Sequence, residues 1–165
     1  AKILTIYEGT TAIQANDLVG RKTSRDGGRT ARAVASRIEA TEAELAARGS
    51  VACRAMARRL KAAREAFLDA VDFVCSQSKS SPNAVFAGSV PYLMLTGTLV
   101  AGWQMARALM AAEERLAEGT DAEFMRAKIV TARFYADHIL NKAASLRDSI
   151  VEGADAVTDL ALESF

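Results

Sequence analysis

Apolar residues recur at steps of three and four positions through most of this chain, and strand-type alternation of useful length is absent from the sequence. This spacing places the apolar side chains on one face of an α-helix. Two prolines and ten glycines leave few interruptions in 165 residues. Only 6% of the residues are aromatic, so the core depends mainly on alanine, leucine, valine and isoleucine. The sequence therefore predicts an all-α protein, a bundle of about four long, mostly antiparallel helices.

Glycines and capping residues divide this pattern into segments. After an irregular stretch over residues 1–9, Thr10 or Thr11 is predicted to begin a short helix that stops near Gly20, and a polar linker follows. Long helices are predicted over residues 29–48, 51–77, 82–118 and 121–150, and a last short helix over 154–162. The expected caps and breaks are Gly49, Ser50, Ser81 before Pro82, a capping box from Thr120 to Glu123, and Gly153.

The third long segment carries no charge from Ala84 to Ala106, a length that could span a bilayer. The run also contains glycines, hydroxyl side chains and Pro91, and it lacks a basic flank on its N-terminal side. Its neighbours are amphipathic and need an apolar partner. We therefore predict a buried central helix rather than a membrane span. Three glycines of this segment would let other helices approach closely: Gly88, Gly97 and Gly102. Pro91 would kink the run or mark its true start.

The formal net charge of +1 argues against bulk electrostatic binding to nucleic acid or to an anionic membrane. One local excess of basic residues comprises Arg21, Lys22, Arg25, Arg29 and Arg32. A solvated linker and helix start is the simpler interpretation of this cluster. Contact with a phosphate or an acidic partner is the alternative.

The two cysteines, Cys53 and Cys75, are predicted to lie on one helix, about 33 Å apart at 1.5 Å per residue. They could not pair within the chain at that distance. Buried free thiols in a reducing cytoplasm are the better interpretation, and the sequence shows no basic-then-apolar leader that suggests export.

Few residues offer chemistry. The single histidine, His138, lies beside an apolar seam and is predicted to be a core or interface residue, and no residue grouping has metal-ligand spacing. Glu8 stands out because it follows an apolar run and lies between Tyr7 and Gly9. Partial burial there would make its carboxylate a stronger base, and Gly9 would let a substrate approach the backbone. A solvated loop glutamate remains the alternative.

The stretch IYEGTTAIQ, continuing into NDLVGRK, closely resembles the C-terminal part of acyl-CoA dehydrogenases. The similarity is dense over about residues 3–22. The rest of the chain resembles, more loosely, the extra C-terminal helical domain of a bacterial subgroup that includes long FadE-type enzymes and methylthiopropanoyl-CoA dehydrogenases. The most distinctive stretches there are YLMLTGTLVAGWQMARA and KIVTARFYADHIL.

The resemblance implies an enzyme that binds FAD and an acyl-CoA thioester and forms a trans-2-enoyl-CoA, with electrons passing to an electron-transfer flavoprotein. Glu8 falls on the position of the base that removes the α-proton. Tyr7 and Gly9 match positions that line the thioester pocket, and Thr10 and Thr11 match positions beside the FAD. Ala12 stands where many members carry a flavin-contacting glutamine.

The resemblance also implies that this chain is part of a longer protein. Residues 1–25 would be the tail of the catalytic domain, and residues 26–165 a helical bundle that packs in a cytoplasmic homo-oligomer. The chain alone is expected to be inactive and to hold no FAD. A non-enzymatic helical interaction or oligomerisation module is the alternative function.

Overall fold

The computed structural model describes residues 10–159 and residue 163, and no strand occurs among them. The elements, in chain order, are α1 (Thr10–Asn16), a π-helix (Asp17–Ser24), α2 (Arg29–Ala47), α3 (Val51–Gln77), α4 (Pro82–Ala87), α5 (Ser89–Ala117), α6 (Ala122–His138), a 3₁₀ turn (Leu140–Lys142), α7 (Ala143–Val151) and α8 (Ala154–Thr158). The predicted all-α class is confirmed.

Helices α2 and α3 run antiparallel, and so do α5 and α6. The turn between α2 and α3 uses Gly49 at φ 72°, and the Arg64 side chain of α3 binds Glu42 of α2 on the other side of that turn. Between α5 and α6, the Tyr135 hydroxyl donates to the Thr98 carbonyl at 3.0 Å. The long helices therefore pack as a bundle, as predicted.

The chain divides into two compact units that do not follow the order of the sequence. One comprises residues 1–33, 67–96 and 145–165, and the other residues 34–66 and 97–144. Large buried side chains of the first unit include Val19, Phe67, Val71, Val74, Tyr92, Leu95 and Ile150. Those of the second include Ile38, Leu45, Met56, Leu60, Leu99, Leu109 and Leu140. Each unit thus has an apolar core of its own.

These cores contain most of the residues that the helical spacing predicts. On α3 the apolar residues at helical spacing are buried from Met56 onward: Met56, Leu60, Ala63, Phe67, Val71 and Val74. Val51, which has the same spacing pattern, is 68% exposed. Val51 is the first residue of its helix. Helical side chains lean toward the N-terminus, so the side chain of a first residue extends past the end of the helix.

The short first helix does not stop near Gly20. It continues as a π-helix to Ser24, so the predicted linker shortens to a turn over residues 25–28. A π-helix, bonded i→i+5, has wider turns than an α-helix. Wider turns keep side chains four residues apart on one face, and Ala15, Val19 and Thr23 are all buried.

The predicted capping box at the start of the last long helix is wrong. The N-cap of α6 is Asp121 rather than Thr120, it has φ 45°, and it makes no side-chain cap bond. This left-handed residue follows Gly119 at φ 75°. Because of this tight turn, Thr120 lies before the N-cap position. Its hydroxyl therefore does not make the N-cap bond that a capping box with Glu123 requires.

Two of the predicted long helices are each divided. The third breaks at Gly88, which ends α4, and Pro91 lies in the first turn of α5, where proline is tolerated. The fourth is interrupted by the 3₁₀ turn, which buries Leu140 and leaves Ile139 only partly buried. Leu140 packs directly over Gly102.

The glycines of α5 allow a stability prediction with an internal control. A Cβ at Gly102 would lie 2.6 Å from Leu140 Cδ2 and 3.0 Å from its Cγ, whereas a Cβ at Gly97 would meet nothing within 4 Å. We expect Gly97→Ala to raise the free energy of unfolding by up to about 1 kcal/mol through helix propensity. Gly102→Ala should lower it by about 1–2 kcal/mol, because the clash outweighs that gain. Urea unfolding measures both, and equal effects would contradict the packing described here.

Candidate functional site

Glu8, the expected base, lies outside the described residues, and so do Tyr7 and Gly9, which are expected to line the thioester pocket. The two expected cofactor neighbours, Thr10 and Thr11, begin α1, and both are exposed. Ala12 is exposed as well. The structure therefore describes the segment that directly follows the candidate base.

A buried hydroxyl pair anchors that segment to its unit. Thr23, at the end of the π-helix, is 2% exposed, and its Oγ1 lies 3.1 Å from the hydroxyl of Tyr92 on α5. The Tyr92 ring is 1% exposed and packs against Phe67, with 5.9 Å between ring centroids. Because the hydroxyl pair is satisfied internally, it fixes the π-helix to the core without leaving an unpaired polar group.

Burial also keeps Tyr92 in its neutral form. Desolvation raises the pKa of its phenol to about 12, and the hydrogen bond with Thr23 opposes that rise only in part. Tyr92 is therefore a structural phenol and not an acid–base residue at neutral pH. The sequence alone does not reveal the partner of Tyr92, because no local pattern links residues 69 positions apart.

The π-helix also contacts α4 through Gly20. A Cβ at Gly20 would lie 3.3 Å from the Phe86 ring. A cavity of about 90 Å³ opens beside this contact, lined by Val19, Gly20, Ser24, Ser78, Pro82, Val85 and Phe86. Pockets for cofactors and substrates have volumes of about 300–1,000 Å³, so this cavity is a packing gap.

Several cations of the basic cluster have carboxylate partners in the chain. Arg21 binds Asp17, with Nη2–Oδ2 at 3.0 Å, and Lys22 Nζ lies 3.2 Å from the same carboxylate. These hydrogen bonds, the one from Arg21 first, lower the pKa of Asp17 to about 2. Arg32 Nη2 lies 2.5 Å from Asp72 Oδ1. The pairing favours the solvated-linker interpretation over a phosphate site.

The single histidine is on the surface. His138 is exposed and stacks on the Phe134 ring, with 4.5 Å between centroids. It is therefore not a core residue, and the alternative prediction, an interface residue, stays a prediction. It is the last residue of α6. Among the described residues, no group of three or more histidine, cysteine, aspartate or glutamate side chains could hold a metal ion.

Both cysteines lie on α3 and are free thiols, as predicted; Cys53 is fully buried and Cys75 partly so. The Cys53 thiol donates to Glu113 Oε2 at 3.2 Å, and Ser50 donates to Glu113 Oε1 at 2.7 Å. Desolvation, first of several causes, raises the pKa of Cys53. Ser50 also accepts from the Cys53 backbone N–H at 3.0 Å, which confirms Ser50 as the cap of α3. A protonated buried thiol is a poor nucleophile, so we assign no reaction to Cys53. The hydrogen bonds to Glu113 instead connect the start of α3 to α5.

A buried ion pair joins α2 to α3 in the second unit. Arg64 donates twice to Glu42, with 2.8 and 3.0 Å between the bonded atoms, and each residue is only 8% exposed. An open groove of about 500 Å³ beside the pair is lined by Glu39, Arg58, Lys61 and Glu65 among others. These charges do not suit an acyl chain. The spacing of apolar residues on α2 does not predict that Glu42 is buried.

One face of the uncharged third segment is buried. Leu95, Leu99, Ala106 and Leu109 of α5 are each at most 1% exposed. Within the described residues, no helix reaches the length and apolarity that crossing a bilayer requires.

Comparison with known proteins identifies the family. Residues 34–161 match the family model described as "Acetyl-CoA dehydrogenase C-terminal like", and the chain belongs to that family. Over 162 residues, or 98% of its length, it is 49% identical to 3-methylmercaptopropionyl-CoA dehydrogenase of Ruegeria pomeroyi. It is 34% identical to the broad-specificity linear acyl-CoA dehydrogenase FadE5 of Mycobacterium tuberculosis, over 91% of this chain.

The chain spans about a quarter of the length of these relatives, 27% of the first and 26% of the second. The resemblance to acyl-CoA dehydrogenases that the sequence predicted is thus confirmed.

Proposed function

We propose that this chain is the C-terminal part of an FAD-dependent acyl-CoA dehydrogenase. The observation that carries the proposal is the 49% identity with an acyl-CoA dehydrogenase over 98% of the chain, which includes the region of the YEGT motif. In this proposal residues 1–25 are the tail of the catalytic domain and residues 26–165 a helical bundle. The alternative, a non-enzymatic interaction module, gives no reason for that similarity.

Glu8 is the proposed base. Its carboxylate would take the α-proton of an acyl-CoA thioester, while Tyr7 and Gly9 would border the thioester. FAD, when bound, would accept the β-hydrogen as hydride, and an electron-transfer flavoprotein would receive the electrons. A carboxylate held away from water is a stronger base than a solvated one, which suits it to an α-proton.

The described residues fit a cofactor that is held mainly by another part of a longer polypeptide. Thr10 and Thr11 are exposed at the start of α1, so a group outside this chain can approach them. Behind them, the buried Thr23–Tyr92 pair holds the segment on its own unit. In this proposal the site to which Glu8 contributes is completed by another part of the longer polypeptide. A cytoplasmic homo-oligomer is part of the proposal.

Flavin binding tests the proposal with two samples. The chain of 165 residues is expected to bind no FAD that survives gel filtration, because a few exposed hydroxyls bury too little of so large a cofactor. The longer polypeptide should retain FAD, and its flavin should be reduced when an acyl-CoA is added without oxygen. A stoichiometric yellow complex of the short chain would contradict the first expectation. A longer polypeptide without acyl-CoA-dependent flavin reduction would contradict the proposed function.

A further inference from the structure

Three large apolar side chains of the first unit are exposed at four-residue intervals. Phe86 on α4 is 43% exposed, and Val90 and Met94 on α5 are 39% and 54% exposed. Val90 and Met94 are one helical turn apart and share a face of α5. We call these three residues the 86–94 face.

The 86–94 face lies in the part of the chain that carries no charge. No aspartate, glutamate, lysine or arginine occurs between Lys79 and Arg107. Solvated helix faces normally carry charged side chains. Depletion of charge together with large apolar residues is typical of the buried centre of a protein interface.

A second exposed apolar stripe, on α6, provides the contrast. Phe124, Val130 and Phe134 are 57–64% exposed there, but charges are interleaved with them. Lys128 Nζ lies 5.0 Å from the centroid of the Phe124 ring, and Arg126 and Arg133 are exposed on the same helix. Apolar residues that alternate with charged side chains can remain exposed to solvent. The 86–94 face lies in a segment that contains no charged residue.

We propose that the 86–94 face is the surface on which the remainder of the longer polypeptide packs. This inference rests on the proposed function, because it requires that polypeptide. The curated relatives extend over nearly four times the matched length, so most of such a protein lies outside the described residues.

The position of the face favours this occupant over a second copy of the chain. Phe86 lies against Gly20 of the π-helix, and that helix follows directly from α1, whose Ile13 is itself 66% exposed. A domain attached through this segment is held at high effective concentration beside the 86–94 face. Intramolecular packing therefore does not need the large area that a stable dimer does.

Met94 serves as a natural probe of this surface. Of the five methionines, Met94 is exposed, Met105 is half-buried, and the other three are buried in their cores: Met56, Met110 and Met125. In hydroxyl-radical footprinting we expect Met94 to be oxidised about tenfold more slowly in the longer polypeptide than in the 165-residue chain, because oxidation follows exposure. Oxidation of Met56 and Met125 should change by less than about twofold.

Two outcomes of the footprinting would overturn the inference. One is equal oxidation of Met94 in the two samples. The other is protection of Met94 in the 165-residue chain that increases with its concentration, since this would make a second copy the occupant. Flavin reduction by acyl-CoA is measured on the same longer sample. Protection of Met94 in an inactive polypeptide would support the inference and contradict the proposed function. Exposure of Met94 in an active polypeptide would support the proposed function and overturn the inference.

A pair of substitutions gives an independent test. Met94→Lys and the control Val130→Lys each place a charge at an exposed mid-helix position. In the 165-residue chain each should shift Tm by less than about 2 °C. In the longer polypeptide Met94→Lys should lower Tm by more than about 5 °C, because it buries a charge, whereas Val130→Lys should not. Equal losses from the two variants would overturn the assignment of this face.

Discussion

Changing Glu8 to glutamine in the longer polypeptide is expected to lower kcat for acyl-CoA oxidation by about 10²–10⁴-fold, the range that a general base contributes. Glutamine has nearly the same shape as glutamate but cannot accept the α-proton. The loss should therefore fall on kcat and on kcat/KM together, with little change in KM. Steady-state kinetics with an acyl-CoA substrate measures this effect.

A matched control separates chemistry from structure. Glu44 is an exposed glutamate on α2, and Glu44→Gln should leave kcat within about twofold of the unmodified enzyme. Both variants should retain their flavin. Exchange of the substrate's α-hydrogen with deuterium from solvent should be lost only in Glu8→Gln. A decrease of less than about tenfold in that variant, about 1.4 kcal/mol in the barrier, would show that Glu8 is not the base.

The fold of this chain could be predicted because apolar residues at helical spacing are the ones that are buried in the folded protein. The stripes on α2, α3 and α6 repeat at three and four residues, and most of their members lie in a core. Ser50 and Gly49 were predicted as a cap and a break, because a side-chain oxygen and a positive φ are local requirements. Such features depend on residues adjacent in sequence.

Two of the errors occur where a distant contact accompanies the change in local geometry. Leu140 lies where the last long helix is interrupted and packs on Gly102, and Thr23 lies on the extension of the first helix and meets Tyr92. The spacing of apolar residues along the sequence cannot reveal either of these contacts. Tyr7, Glu8 and Gly9 were selected by a motif, but the chemistry proposed for them depends on groups outside this chain. Their roles therefore stay predictions.

The buried ion pair Glu42–Arg64 is the other place where a single substitution should have a large effect. Its side chains are 10% and 9% exposed, and Glu39 lies 3.5 Å from Arg64 on its more exposed side. Arg64→Met would leave the Glu42 carboxylate buried without its partner. We expect the free energy of unfolding to decrease by about 3–5 kcal/mol. At about 2–4 °C per kcal/mol, Tm should then decrease by roughly 10 °C, measurable by calorimetry.

Two further variants determine whether the lost pairing or the lost side chain is responsible. Lys61→Met removes an exposed cation from the same helix, 3.8 Å from Glu65, and should change stability by less than about 0.5 kcal/mol. The double variant Glu42→Leu with Arg64→Met removes both charges, and its stability should return to within about 1 kcal/mol of the unmodified chain. If the double variant were no more stable than Arg64→Met alone, packing of the arginine stem, and not an unpaired carboxylate, would be the source of the loss.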